Sequence, residues 1–353
     1  MNRLEKLRQA MEKNQLDAFV VMSPENRRYL SGFTGTAATL LITADKAYLL
    51  TDFRYIEQAT AQAPLFQIIK VGNDSLRELK ELAGPAKQIA FEADYVTFAD
   101  YSILKEVFPE GELRPSSQLV AEMRSIKDEE EIALIRKAAE IADQSFSHVL
   151  DILKAGQTEE EISAELEFAM RKQGASGRSF DFIVASGWRS AMPHGVATSK
   201  QIEMGELLTM DFGALYQGYC SDITRTVCLG QPDDKQREIY ELVLKANLLG
   251  IETVAPGKTG KEVDEVVRTF LADAGYGKYF GHGLGHSVGL AIHEGPNLNM
   301  REERVLEPGM IVTVEPGVYL PNWGGVRVED MVLVTEEGCE VLTQSAKEFI
   351  IIE

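Results

Sequence analysis

Gly205-Glu206-Leu207-Leu208-Thr209-Met210-Asp211-Phe212-Gly213 and Gly309-Met310-Ile311-Val312-Thr313-Val314-Glu315-Pro316-Gly317 share one pattern. Each runs from glycine through apolar residues to an acid, with a threonine two before the acid and a glycine two after it. A short apolar run bounded by glycines reads as a buried strand, so two such strands each deliver a carboxylate to an interior. A buried carboxylate is costly unless another ion or a metal accompanies it.

The repetition extends outward. Gly156-Gln157-Thr158-Glu159-Glu160-Glu161 precedes the first strand and Gly257-Lys258-Thr259-Gly260-Lys261-Glu262 the second. In both, a threonine with glutamate three residues later opens an apolar-periodic run: Ile162, Leu166, Phe168, Ala169 in one, Val263, Val266, Val267, Phe270, Leu271 in the other. That is a capping box starting an amphipathic helix, because hydroxyl and carboxylate each accept from an otherwise unpaired backbone N–H. A helix, a loop and a strand ending in an acid therefore occur twice. An internal duplication with a pseudo-two-fold axis is the simplest reading, and it brings Asp211 and Glu315 face to face.

Each strand then turns back and meets a second acid. Asp211 and Asp222 are symmetric about the Tyr216–Gln217 bond, and Glu315 and Glu329 about Asn322, so two hairpins are expected to present four carboxylates to one cleft. Four clustered carboxylates cannot all ionise without cations among them. The blander alternative has one or two of them facing solvent or pairing with Arg225 and Arg327. Carboxylate-rich sites suit hard divalent ions, often a bridging pair.

Of the five histidines, His148 falls in a long helix expected from about Asp128 to Leu153 and reads as structural. His194, His282, His286 and His293 lie in loops and strands around the acid strands, and Gly281-His282-Gly283-Leu284-Gly285-His286 is glycine-rich enough for close backbone approach. One imidazole with four carboxylates makes a dinuclear site and leaves three imidazoles for a substrate.

Pro193-His194-Gly195, Asp211-Phe212-Gly213, Ser221-Asp222-Ile223-Thr224-Arg225-Thr226, the 281–286 run, Val314-Glu315-Pro316-Gly317 and Gly325-Val326-Arg327-Val328-Glu329-Asp330 resemble the pita-bread metallopeptidases. Within them the chain is most similar to the Xaa-Pro branch, aminopeptidase P and prolidase. The likeness covers nearly the whole chain, including Tyr29-Leu30-Ser31-Gly32-Phe33-Thr34-Gly35 and Thr51-Asp52-Phe53-Arg54-Tyr55. It implies an α/β (α+β) protein: a small N-terminal α/β capping and dimerisation domain of the creatinase/prolidase type over residues 1–123, then a pseudo-two-fold pita-bread catalytic domain over 124–353. By the resemblance, Asp211, Asp222, His286, Glu315 and Glu329 bind two divalent metals, most often Mn2+, with Co2+ or Zn2+ as alternatives. That His286 ligates while His282 does not also comes from the resemblance.

The implied reaction is hydrolysis of the Xaa-Pro bond at the N-terminus of short peptides by a metal-bridging hydroxide. Glu315 acts as general base and returns the proton to the leaving nitrogen. His282 and His293 stabilise the oxyanion, and His194 and Arg327 line the proline side. Wording around Pro193 to Ser199 and His293-Glu294 resembles short bacterial aminopeptidase P enzymes, the main expectation. The alternative is an Xaa-Pro dipeptidase, which needs a cation for the substrate carboxylate. Arg301 and Arg304 could supply it, although Arg301-Glu302-Glu303-Arg304 reads first as a solvated turn. Methionine aminopeptidase, a non-catalytic peptide-binding member and a metal-free creatinase-type enzyme are more distant readings.

Composition bounds the rest. The chain has 353 residues, 36 basic against 55 acidic, so nucleic acid and anionic membrane surfaces are not expected partners. No signal-like or membrane-spanning apolar run is present, and three cysteines (Cys220, Cys228, Cys339) without metal-ligand spacing point to a reducing cytoplasm. Cys220 is read as structural. The N-terminal part reads as a helix over Leu4 to Gln15, a strand over Ala18 to Met22, a hairpin of Thr39–Ile42 with Ala47–Leu50, and a helix after Asp52. By the family likeness, this domain helps close the active site and makes a homodimer contact.

Overall fold

The computed structural model describes every residue except Met1, Asn73, Asp74 and Ser117. The chain falls into two compact units, Met1–Arg124 and Ser125–Glu353.

The first unit opens with the helix Arg3–Lys13, capped by Asn2 and Glu5. Leu4, Leu7 and Met11 form its buried stripe. Behind it stands a six-stranded sheet in the order Gln67–Lys70, Ala47–Thr51, Thr39–Thr43, Ala18–Val21, Gln88–Phe91, Glu112–Pro115. The expected hairpin is present, paired from Thr39 with Leu50 to Ile42 with Ala47, and the helix after Asp52 spans Ile56–Gln62. The three central strands are buried along their length, which is why their sequences are continuously apolar and do not alternate.

The second unit starts with Glu129–Ile152, capped by Asp128 and Glu131, and then builds the same arrangement twice. In the first half the helix Glu159–Lys172 covers a sheet ordered Ile183–Ser186, Leu207–Phe212, Ile223–Leu229, closed by Ile351–Ile352. In the second, Asp234–Thr253 and Gly260–Asp273 cover Gly285–Ser287, Ile311–Val314 and Asp330–Val334, flanked by Glu294–Leu298 and Cys339–Val341. The capping boxes match bond for bond: Thr158 N to Glu161 Oε2 and Thr259 N to Glu262 Oε2 are both 2.7 Å, and both reciprocal bonds are 3.1 Å. The loop before each helix pairs identically too, Gly156 N with Ile202 O and Gly257 N with Leu306 O. Each half buries its own apolar cluster, around Ile162, Leu166, Val184 and Phe212 in one and Val263, Val267, Val312 and Val332 in the other. Phe168 and Val266, read from the sequence as part of the apolar stripes, face outward, 57% and 39% exposed. Phe168, two positions after Leu166, falls on the face opposite the buried stripe of its helix, and Val266, three after Val263, on the flank of its own.

The hairpins that carry the acids differ in how well their register was foreseen. In the second half the ladder runs from Ile311 opposite Leu333 through Val314 opposite Asp330, and resumes at Gly317 opposite Arg327. Glu315 and Glu329 therefore face each other, as the symmetry about Asn322 predicts. In the first half Asp211 lies opposite Thr224, not Asp222. The turn is centred on Gln217-Gly218, both left-handed (φ 44° and 79°), with Tyr216 opposite Tyr219. This two-residue turn matches the strand twist and displaces the register by two. Because side chains alternate with period two, the shift keeps Asp211 and Asp222 on one face. Among the described residues no helix is long and apolar enough to cross a membrane.

Candidate metal centre

All nine residues singled out for the site line one cleft of about 570 Å³ in the second unit: Asp211, Asp222, Glu315, Glu329, His194, His282, His286, His293 and Arg327. The cleft lies where the two halves meet. Asp211 ends one central strand and Glu315 follows the other, while Asp222 and Glu329 stand just before the return strands.

Asp222, His286 and Glu329 form the tightest cluster, with one donor atom from each within 4.8 Å of the others. His286 Nε2 lies 3.6 Å from Asp222 Oδ2 and 3.6 Å from Glu315 Oε1. Its Nδ1 faces Ser287 O at 3.1 Å. A carbonyl only accepts, so Nδ1 carries the proton and the Nε2 lone pair points among the carboxylates. The main chain holds His286 close: a Cβ at Gly285 would meet Thr313 O at 2.0 Å, so the glycine-rich run is needed for this approach. Thr313 Oγ1 accepts from His286 N (3.1 Å) and donates to Glu315 Oε1 (3.3 Å), giving a role to the threonine two before the acid.

Asp211 is turned onto Arg327, with Arg327 Nη2 donating to its Oδ2 at 2.6 Å, so one acid does pair with arginine. Its Oδ1 is buried and accepts no hydrogen bond from any described residue. Arg225 pairs with Asp330 instead of any of the four (2.8 Å), and its Nη1 also donates to Glu329 O. Burial pushes the Glu315 carboxyl up to about 8, Arg327 opposing and Asp211 reinforcing. Burial raises Asp222 and Glu329 well above the carboxylate range, reinforced by Glu329, Asp211 and Glu315 for Asp222 and by Glu315 and Asp211 for Glu329. Burial raises Asp211 too, against the pull of Arg327. Four hard donors that favour protons, one orphaned buried oxygen and one inward lone pair suit divalent cations as replacements for those protons. Asp211, Asp222, His286, Glu315 and Glu329 would hold them.

The sequence reading missed Tyr319 and Thr224. Arg327 Nη1 donates to Tyr319 Oη (2.8 Å) and to Pro193 O (3.3 Å), and Arg327 Nε to Thr224 Oγ1 (3.0 Å). Thr224 Oγ1 in turn donates to Glu329 Oε2 at 2.6 Å. Tyr319 Oη lies 2.9 Å from His282 Nε2, while His282 Nδ1 lies 2.8 Å from Gly283 O. Burial lowers His282 to about 4, so the ring is neutral. Its proton sits on Nδ1, and Nε2 accepts from Tyr319. This revises the expected role of His282: Nε2 has no proton with which to hold an oxyanion. Alternation could have found both residues, Thr224 two after Asp222 and Tyr319 two after Gly317. His194 and His293 are solvent-exposed at the cleft, and the His286 and His293 ring centroids are 4.5 Å apart. His148 is on the surface, 3.5 Å from Glu165. Arg301 is exposed and Arg304 donates to Ser125 Oγ (2.6 Å); neither lines the cleft.

A family model described as metallopeptidase family M24 matches residues 133–336, and one for the creatinase/prolidase N-terminal domain matches residues 3–126. An Xaa-Pro dipeptidase from Bacillus anthracis is 49% identical, with 99% of this chain and 98% of that one covered and a TM-score of 0.96. An Xaa-Pro dipeptidase from Pyrococcus furiosus is 40% identical, with 99% of each chain covered. An X-Pro aminopeptidase from Thermotoga maritima is 39% identical over 100% of both chains, with a TM-score of 0.93.

Proposed function

The chain belongs to metallopeptidase family M24, and we propose that it is an Xaa-Pro dipeptidase whose Asp211, Asp222, His286, Glu315 and Glu329 hold two divalent metal ions, most readily Mn2+. The observation that carries the metal site is the inward His286 Nε2 lone pair among four proton-hungry carboxyls. Dipeptidase specificity is supported by the relatives named Xaa-Pro dipeptidase at 49% and 40% identity, which favours it over the aminopeptidase P expectation.

When bound, such ions polarise the scissile carbonyl and lower the pKa of water. Glu315 takes a proton in the attack and passes it to the proline nitrogen, which carries no hydrogen in the peptide and leaves as a secondary amine. His293 donates to the developing oxyanion. His282 serves through Tyr319, whose hydroxyl it orients, and Tyr319 and Thr224 fix the Arg327 guanidinium on Asp211. His194 and Arg327 line the proline side. The first domain, over residues 1–123, serves in this proposal as a cap and a homodimer contact. Cys228 and Cys339, which form no disulfide among the described residues, fit a reducing cytoplasm.

A second reading, aminopeptidase P, has one observation in its favour besides the Thermotoga maritima relative. Arg327 is the one arginine or lysine among the described residues lining the cleft, and it is already committed to Asp211. Comparing kcat/KM of manganese-loaded protein on Xaa-Pro and Xaa-Pro-Yaa separates the two. Preference for the dipeptide supports the proposal, and preference for the tripeptide replaces it with the second reading.

A further inference from the structure

A dipeptidase must recognise the free carboxylate that follows proline, and among the described residues lining the catalytic cleft the one arginine or lysine, Arg327, is committed to Asp211. The cleft, however, shares Pro193, His194, His282 and Tyr319 with an adjoining cavity of about 660 Å³ whose other walls are Lys278, Tyr279, Gly281 and Pro321. Both volumes fall in the range of small-ligand sites. The second cavity begins at His194, on the proline side of the proposed substrate, and Lys278 is the one lysine or arginine among the described residues lining it.

Two neighbouring arginines, Arg268 and Arg327, are committed elsewhere. Arg268 is bound to both oxygens of Asp264 at 2.7 Å and to the carbonyls of Phe280 and His282. Arg327 is held by Asp211, Tyr319, Thr224 and Pro193 O. Lys278, on the short 3-10 turn Gly277–Tyr279, makes no ion pair among the described residues and lies 4.8 Å from the Tyr279 ring centroid. Tyr279, Tyr319 and Pro321 give the space around it flat and apolar walls, suited to a pyrrolidine ring. A flexible ammonium can reach a carboxylate without a fixed fork geometry.

We propose that Lys278 binds the C-terminal carboxylate of an Xaa-Pro dipeptide at the mouth between the two cavities, and so decides length specificity. This rests on the dipeptidase reading. The test compares kcat/KM for an Xaa-Pro dipeptide with that for the same dipeptide amidated at its C-terminus, in the manganese-loaded wild type and in K278M, K278R and K278E. Because Lys278 is solvent-exposed, the variants should fold, as thermal unfolding will verify.

The wild type should favour the free acid over the amide. In K278M that ratio should fall about tenfold, as for loss of a partly exposed charged hydrogen bond, mainly through KM. K278R should retain most of it and K278E should fall below K278M. If the wild type favours the free acid and K278M keeps the same ratio, the Lys278 assignment is overturned alone. If the wild type prefers a tripeptide to the dipeptide, the dipeptidase reading fails and this assignment with it.

Discussion

Glu159→Gln should damage both stability and substrate binding, although residue 159 lines neither cavity. Glu159 is fully buried and accepts five hydrogen bonds. Ser186 N (2.8 Å) and Ser186 Oγ (2.9 Å) donate to Oε1, and Thr198 N (3.1 Å), Thr198 Oγ1 (2.8 Å) and Arg189 Nη1 donate to Oε2. Arg189 then donates to Val196 O (2.9 Å), so one carboxylate pins both ends of the loop that carries His194. Glutamine is nearly isosteric, but whichever way its amide is turned, an NH2 meets two or three donors. Arg189, 11% exposed, also loses its counter-charge. Breaking a buried pair from one side costs about 3–5 kcal/mol. For a unit of this size that lowers Tm by about 10 °C. Calorimetry on the full chain measures it, with the exposed neighbour Glu160→Gln as control, expected within about 0.5 kcal/mol of wild type. A loosened His194 loop should also raise KM about tenfold. A Tm for E159Q within about 2 °C of the control would refute the reasoning, because the carboxylate would then not be the clamp its bonds describe.

Tyr319→Phe removes the donor to His282 Nε2 and an acceptor for Arg327, so kcat/KM should fall about 10- to 100-fold, with circular dichroism unchanged. Lys127→Met removes a buried ammonium 3.0 Å from Ser287 Oγ and 3.4 Å from Glu294 Oε2. Those residues adjoin His286 and His293, so calorimetric titration should show manganese affinity about tenfold weaker. The metal-free protein should have a pH dependence dominated by its raised carboxyls. Glu315, at about 8 when folded, contributes stability that is full below its unfolded pKa and lost as pH rises through 8. His282 and His286, lowered to about 4, act oppositely, their contribution present above about 6.5 and lost as pH falls towards 4. The gain in Tm from added manganese should therefore grow from pH 6.5 to 8, and binding at pH 6.5 should release protons, detected by titration in buffers of different ionisation enthalpy. Uptake of protons, or a gain that shrinks with pH, would contradict the carboxyl assignment.

The parts of the fold written in local chemistry were legible. Thr158/Glu161 and Thr259/Glu262 announce two helices because a capping box is a local bond pattern, and the duplicated strands announce the acids because apolar runs ending in a carboxylate are rare without a partner. The second hairpin register followed from symmetry about Asn322. The first did not, because Gln217 takes a left-handed conformation that residue type alone does not signal, and the turn moved one position along. Phe168 and Val266 face outward because apolar character alone does not place a residue on the buried face of a helix. The cleft's electrostatics were legible only in part. That Asp211 faces Arg327 is a contact between halves more than a hundred residues apart, and the tautomer of His282 depends on Gly283 O and Tyr319 Oη, which no spacing encodes. Length specificity was the least legible, since it depends on which cations remain uncommitted around the proline side after folding.

Where metal binds tests the assignment of this cleft most directly. A crystal of the manganese-loaded protein, with data collected on both sides of the manganese absorption edge, should show two anomalous peaks per chain, enclosed by Asp211, Asp222, His286, Glu315 and Glu329. A chain with no peak among these residues, or with peaks elsewhere, would contradict the assignment of this cleft as a dinuclear metallopeptidase site.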